Sequence, residues 1–154
     1  METNMTQRIS LANSNTGLDA MRTVESWLDK NLDAKLLALV KVRASQINGC
    51  AFCLHMHSEQ ALKLGEEPSR LLLLDAWHES ALYSERERAA LAWTDALTRI
   101  SETHAPDVDF ERLRRHFSEA EVAALSIAIA MINAWNRLAI GARAQHPADI
   151  RKAA

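Results

Sequence analysis

The sequence predicts a single domain of the all-α class, and three observations lead to this prediction. The 154 residues include only four glycines and three prolines, too few for the frequent turns of sandwiches and barrels. Apolar residues recur at helical spacing, and no segment alternates convincingly with the two-residue period of a half-buried strand. The length and the 48% content of hydrophobic residues are enough for a sizeable core.

Three helices are predicted in the N-terminal part of the chain, over residues 17–30, 33–47 and 50–64. Each of these segments carries apolar residues at helical spacing. Asn48-Gly49 is a chain-reversal signal that ends the second helix. Gly65 suits the position just after the end of the third helix, where a left-handed conformation is common.

Further helices follow in the C-terminal part. One is predicted from Pro68 or Ser69 to Trp77, and a short one from Phe110 to Phe117. Two Ser-x-x-Glu sequences have the form of capping boxes and should begin a helix each, at Ser84 (ending near Ile100) and at Ser118.

The last helix contains the apolar stretch Val122–Ile132. This stretch is too short to span a bilayer, which needs about 20 residues, so we expect a central core helix or one that also meets another subunit. Residues 1–16 are polar and are expected to be loosely ordered. The helical domain should cover residues 17–146, followed by a C-terminal tail over residues 147–154.

The charge and composition of the chain limit the classes of function that it could have. With a formal net charge of −2 and a pI of about 6.3, nothing favours binding to nucleic acid or to an anionic membrane. The N-terminus lacks the basic region and apolar run of a signal peptide, so we expect a cytoplasmic protein. In a reducing compartment, two close cysteines are more often catalytic or metal-binding than a structural crosslink.

Those two cysteines, Cys50 and Cys53, are followed by His57. In a helix, residues at this spacing share a face, and two cysteines three apart can form a disulfide. A thiol in a first helical turn feels the positive end of the helix dipole, which lowers its pKa. His57, four residues after Cys53, could accept or return a proton at that sulfur. The combination indicates redox chemistry.

Two other interpretations of this motif are weaker. The cysteines could be inert buried thiols, since free cysteine often packs as a small hydrophobe. A structural zinc site would have three ligands in Cys50, Cys53 and His57, but tetrahedral zinc needs a fourth and His55 lies on another side of the helix. We therefore expect neither a metal nor another cofactor.

The stretch Arg43–His57 (RASQINGCAFCLHMH) resembles the Cys-x-x-Cys-x-x-x-His core of the carboxymuconolactone decarboxylase / alkylhydroperoxidase AhpD family. Two further segments, 84–95 (SERERAALAWTD) and 132–139 (INAWNRLA), are similar to the short single-domain branch of that family. The resemblance covers roughly residues 17–143. It implies an all-helical AhpD-like bundle that assembles as a homo-oligomer, usually a trimer or hexamer.

The resemblance also implies a thiol-dependent peroxidase that reduces organic hydroperoxides. Cys53 would attack the peroxide, Cys50 would resolve the product as a disulfide, and His57 would belong to a proton relay. A dithiol partner, such as a lipoyl-bearing protein, would supply the electrons.

The chain departs from the family pattern at two positions. Ala38 stands where the family often has a relay glutamate, and Phe52 stands where some members have a histidine. The relay would then be shorter, or rebuilt from His55, His78 or Glu79. The alternatives to a peroxidase are a lactone decarboxylase-like lyase, which would not rely on a cysteine pair, and a non-enzymatic redox-sensing oligomer.

Overall fold

The computed structural model describes residues 6–13 and 15–146, which form eight α-helices and one 3₁₀ segment. None of these residues lies in a strand, so the predicted all-α class is confirmed. The predicted C-terminal tail, residues 147–154, lies outside the described residues, as do residues 1–5 and 14. In chain order the helices are α1 (Thr16–Asn31), α2 (Ala34–Asn48), α3 (Ala51–Lys63), α4 (Pro68–Leu72), α5 (Glu85–Thr98), α6 (Ile100–Thr103), α7 (Asp107–Arg114) and α8 (Glu119–Ala142), with the 3₁₀ segment Leu74–Glu79 between α4 and α5.

The predicted helix ends are confirmed where capping chemistry marks them. The Ser84 and Ser118 hydroxyls each accept a hydrogen bond from the backbone N–H three residues on, and the glutamate at that position accepts one from the backbone N–H of the serine, completing both capping boxes. Gly49 ends α2 with a φ of 68°, and Gly65 follows α3 with a φ of 82°. Both angles lie in the left-handed region that glycine adopts without steric cost.

The helix predicted from residue 68 to 77 is instead divided. The α-helix α4 stops at Leu72, and a 3₁₀ segment with a non-helical Ala76 continues the chain. Leu74 and Trp77 are fully buried, and the three-residue repeat of a 3₁₀-helix places such a pair on one face. An α-helix would also place this pair on one face, so the interruption lies in the backbone, at the non-helical Ala76 (φ −110°, ψ 28°).

The central element of the bundle is α2. Its ten consecutive residues 36–45 are all buried, and it packs against α3, α5 and α8. Charged residues are included in this buried run. Arg43 is satisfied by paired hydrogen bonds to the Asp95 carboxylate, at 2.7 and 2.9 Å, and by one to Asp75 at 2.6 Å. The helix can therefore be buried on every side without leaving that guanidinium unpaired.

Helix α8 is longer than its apolar stretch. The expectation that it is too short to span a bilayer is wrong for the helix as a whole, because α8 has 24 residues and is apolar enough by composition. The helix continues past the polar residues Asn133 and Asn136, whose side chains accept hydrogen bonds from Asn48. Its buried residues pack against α1, α2 and α5, as those of a core helix do.

Substituting two glycines should have opposite effects on stability. Gly49→Ala would force a left-handed conformation on a residue with a Cβ, so the free energy of unfolding should fall by about 1–2 kcal/mol. Gly141→Ala adds a methyl group within α8 where no atom lies within 4 Å, so it should raise that free energy by up to about 1 kcal/mol. Urea unfolding at one fixed protein concentration would measure both; equal effects would contradict this account of the turn.

Candidate redox site

The candidate site begins at the turn between α2 and α3. The left-handed Gly49 reverses the chain, and Cys50 follows as the N-cap residue of α3 with extended backbone angles (φ −85°, ψ 99°). The backbone N–H of Cys53 points to the Cys50 sulfur at 3.3 Å. Both sulfurs therefore lie at the positive end of the α3 dipole, where a thiolate is stabilised.

A network of side-chain amides fixes this turn to α8. The Asn48 side chain donates to the side-chain oxygens of Asn133 and Asn136, at 2.9 Å each. Asn136 is fully buried and donates in turn to the Ser45 hydroxyl at 3.0 Å. Buried amides left without partners would each cost about 1–3 kcal/mol, so the network holds the turn in one position.

Cys50 and Cys53 are joined as a disulfide, with their Cα atoms 5.3 Å apart. Both residues are almost wholly buried, at 1% and 2% exposure. Around them pack the apolar side chains of Ala44, Ile132 and Ala139. The close pairing that the spacing predicts is therefore present at the start of a helix.

One of the two cysteines lines a pocket of about 540 Å³. Cys53 and His57 line this pocket, whereas Cys50 is not among the lining residues. A molecule in the pocket would thus meet Cys53 first. The walls are mainly apolar and include Leu11, Phe52, Met56, Trp135, Ala139 and Ala144.

The segment before α1 forms part of the wall of this pocket. Gln7, Ser10, Leu11 and Ala12 line it. The backbone N–H of Arg8 donates to the carbonyl of Ala142 at 2.8 Å, and the Arg22 side chain donates to the Leu11 carbonyl at 2.9 Å. These bonds connect the segment to α8 and α1.

His57 lies almost entirely out of solvent, with 6% exposure. Burial, reinforced by the positive charge of Lys41, lowers the pKa of His57 from 6.5 to about 4, against opposing effects of Gln60 and Glu25. The Nδ1 atom lies 3.2 Å from the Gln60 side-chain oxygen, an acceptor, so Nδ1 carries the hydrogen and Nε2 keeps a lone pair. At neutral pH this imidazole is an uncharged proton acceptor.

The sequence analysis missed the charged pair beside this histidine. Glu25 of α1 lines the pocket and forms an ion pair with Lys41 of α2. The other carboxylate oxygen of Glu25 accepts a hydrogen bond from the Trp135 indole at 3.0 Å. No local spacing could have indicated these residues, because they come from three different helices.

The three residues predicted as alternative relay members lie elsewhere. His55 is on another side of α3, where its ring lies 3.5 Å from the Glu59 carboxylate. His78 and Glu79 line a separate surface depression with Arg88. None of the three is among the residues that line the pocket over Cys53. Ala38, at the position of the family glutamate, is buried within α2.

Fold and site together define an all-helical protein with a dithiol/disulfide pair at the start of a helix and a buried histidine one turn later. Residues 14–96 match the carboxymuconolactone decarboxylase family, and the chain belongs to that family. The AhpD-like resemblance of the motif is thereby confirmed.

Three similar proteins extend this comparison. The uncharacterised protein YdfG of Bacillus subtilis is 37% identical over 88% of this chain and 94% of its own length. The solved structure of ATU0492 from Agrobacterium tumefaciens is 44% identical with a TM-score of 0.89, over 92% of this chain and 99% of that one. ATU0492 is described as a protein of unknown function and a candidate antioxidant defence protein AhpD. An uncharacterised peroxidase-related protein from Silicibacter is 25% identical with a TM-score of 0.72, over 81% of this chain and 67% of that one.

The lowered pKa of His57 should make the protein less stable in acid. Because the folded state holds this group near a pKa of 4 and the unfolded chain near 6.5, the unfolded state binds more protons between these values. The free energy of unfolding should therefore fall as the pH drops from 6.5 to 4, by about 3 kcal/mol from this residue.

Urea unfolding of the wild type and of His57→Gln at several pH values would isolate the contribution of His57 to the free energy of unfolding. All other titratable groups are present in both proteins, so their effects cancel in the difference. The variant should lose less stability across the window. Parallel stability curves for the two proteins would contradict the assignment.

Proposed function

We propose that this protein is a thiol-dependent peroxidase that reduces organic hydroperoxides. The observation that carries the proposal is the Cys50–Cys53 pair at the start of α3, with Cys53 facing a largely apolar pocket that His57 also lines. Membership of the AhpD-like family supports it, as does the similarity to ATU0492, described as a candidate antioxidant defence protein.

The first chemical step takes place at Cys53. His57 accepts the thiol proton at Nε2, and the thiolate attacks the terminal oxygen of the hydroperoxide. The O–O bond breaks, a sulfenic acid forms on Cys53, and the alkoxide leaves with the proton that His57 returns. The products of this step are one sulfenic acid and one alcohol.

Cys50 completes the oxidative half of the cycle. Its thiol attacks the sulfur of the Cys53 sulfenic acid, a disulfide forms, and water leaves. An external dithiol, such as a lipoyl-bearing protein, then exchanges with the disulfide and restores both thiols while becoming a disulfide itself. The disulfide in the structure corresponds to the state between these two events.

The pocket supports the assignment of roles to the two cysteines. A substrate in the pocket would contact Cys53, whereas Cys50, the N-cap residue of α3, does not line the pocket. The apolar walls also favour a hydroperoxide with an organic group over hydrogen peroxide, since burial of apolar surface contributes about 25 cal/mol per Å².

Serine variants of the two cysteines test this function. Cys53→Ser should reduce the turnover of cumene hydroperoxide with dihydrolipoamide as reductant by at least about a thousandfold, because the nucleophile is lost. Cys50→Ser should halt after one turnover and leave a sulfenic acid on Cys53 that dimedone labels, detected by mass spectrometry. The double variant Cys50→Ser/Cys53→Ser measures the background.

Either of two results would contradict the proposal. One is turnover by Cys53→Ser at a rate well above that of the double variant. The other is a disulfide that forms in the wild type without sustained peroxide consumption in excess dithiol, which would favour a redox sensor over an enzyme.

We also propose that the protein is a homo-oligomer, a trimer or hexamer. Large apolar side chains are exposed on the isolated chain, with exposures of 82% for Leu72, 73% for Val108 and 47% for Ile140. Light scattering coupled to size exclusion should give a mass three or six times that of the 17.2 kDa chain. A mass of one chain at all accessible concentrations would contradict the assembly.

A further inference from the structure

Part of the pocket that Cys53 lines is formed by the non-helical segment before α1. The residues of this segment that line the pocket are Gln7, Ser10, Leu11 and Ala12. Among the described residues 6–13, Leu11 alone is partly buried, and the others are exposed. The segment therefore contributes one large apolar side chain to the wall of the pocket, and the chemistry above gives that side chain no role.

We propose that Leu11 is a specificity-determining residue of the redox site, whose side chain contacts the organic group of the hydroperoxide while the peroxide end meets Cys53. The site thereby selects hydroperoxides that carry an apolar group over hydrogen peroxide. This inference rests on the proposed function, since it names the part of the substrate that the pocket recognises. The residues that match the family, 14–96, do not include Leu11, so membership of the family assigns it no role.

The first argument is that the backbone of the segment is held by bonds that do not involve the Leu11 side chain. The Arg22 guanidinium donates to the Leu11 carbonyl at 2.9 Å and forms an ion pair with Asp19 at 2.8 Å. The backbone N–H of Arg8 donates to the Ala142 carbonyl at 2.8 Å. These bonds remain available when the Leu11 side chain is changed, so its role in the pocket can be tested apart from the position of the segment.

The second argument is the chemical character of the wall to which Leu11 belongs. Phe52 and Met56 of α3 and Trp135 of α8 line the same pocket, whose volume is about 540 Å³. This volume lies within the range of small-molecule sites, roughly 300–1,000 Å³. Hydrogen peroxide has no apolar area to bury against such a wall, whereas an organic group gains free energy from every apolar contact.

The third argument is the contrast between Leu11 and Ile9, the two large apolar residues among residues 6–13. Ile9 is 59% exposed and does not line the pocket, whereas Leu11 is partly buried and does. The segment thus presents one of these side chains to solvent and the other to the substrate site. Ile9 is therefore a matched control for Leu11, two residues away on the same segment.

The first test measures the selectivity of the pocket without any peroxide. In Cys50→Ser, Cys53 is the single thiol of the chain. Its rates of alkylation by N-phenylmaleimide and by N-methylmaleimide are compared, each divided by the rate with free glutathione. Leu11→Ala should lower the preference for the phenyl reagent by about tenfold, because apolar contact is lost. Leu11→Met keeps an apolar side chain of similar volume and should keep the preference.

Two further pairs of variants separate recognition from a structural role. Leu11→Asp places a charge in the apolar wall and should abolish the preference for the phenyl reagent. Ile9→Ala and Ile9→Asp make the same changes at the exposed position and should leave the preference unchanged. A leucine that only anchors the segment would behave differently, since its loss would change the rates of both reagents by the same factor. Leu11→Ala, the milder change, still gives the answer if Leu11→Asp folds poorly.

The second test measures turnover by the protein with both cysteines present. With saturating dihydrolipoamide as reductant, Leu11→Ala should lower the ratio of kcat/KM for cumene hydroperoxide to that for hydrogen peroxide by about tenfold. Leu11→Met and Ile9→Ala should leave this ratio near that of the wild type.

Three results would overturn the role of Leu11. They are an unchanged reagent preference in both Leu11→Ala and Leu11→Asp, an equal loss of preference in Ile9→Asp and Leu11→Asp, or an equal change of both alkylation rates in Leu11→Ala. Turnover that does not depend on Cys53 would instead remove the peroxidase and leave the alkylation result standing. An unchanged preference with turnover still dependent on Cys53 would remove only the role of Leu11.

Discussion

The site depends on a short turn that is held from two sides. On one side, Gly49 takes a left-handed conformation that ends α2, and on the other the Asn48 side chain is bound by Asn133 and Asn136 of α8. With the turn fixed, Cys50 must be the N-cap of α3 and Cys53 must follow one turn later. The distance between the sulfurs, their place at the positive helix end and the position of His57 all follow from this one anchored reversal.

The turn and the Cys50–His57 motif on α3 could be predicted from the sequence because the interactions that form them are local. Cysteines three residues apart and a histidine four residues further on lie on one face of any helix, so only the helix itself had to be identified. Capping boxes and glycines marked the helix ends for a similar reason, since each acts within about four residues. The division of the segment after Pro68 was missed because apolar residues continue at helical spacing through Leu74 and Trp77, so the pattern does not mark the break at Ala76.

The central position of α2 in the bundle could not be predicted from the sequence either. Its sequence contains Lys41, Arg43 and Ser45, which are typical of an exposed face, while α8 carries the more continuous apolar stretch. All three polar side chains are nevertheless buried, because their partners come from α1, α5 and α8 or from the preceding turn. Partners separated by 16 to 91 residues leave no mark on a local pattern, so neither the central helix nor the Glu25 carboxylate beside His57 could be deduced.

The two buried cations of α2, Lys41 and Arg43, differ in their surroundings. Burial opposes the charge on Arg43, yet Asp95 and Asp75 raise its pKa above the ordinary value, and none of the three lines the pocket over Cys53. That cluster joins α2 to α5 and to the 3₁₀ segment, and its charges are satisfied among themselves. The charge of Lys41, in contrast, acts on a third group: together with burial, which is the larger cause, it lowers the pKa of His57, which lines the pocket with Cys53. Burial and the charge of Lys41 together make His57 harder to protonate, and this reduces stability in acid.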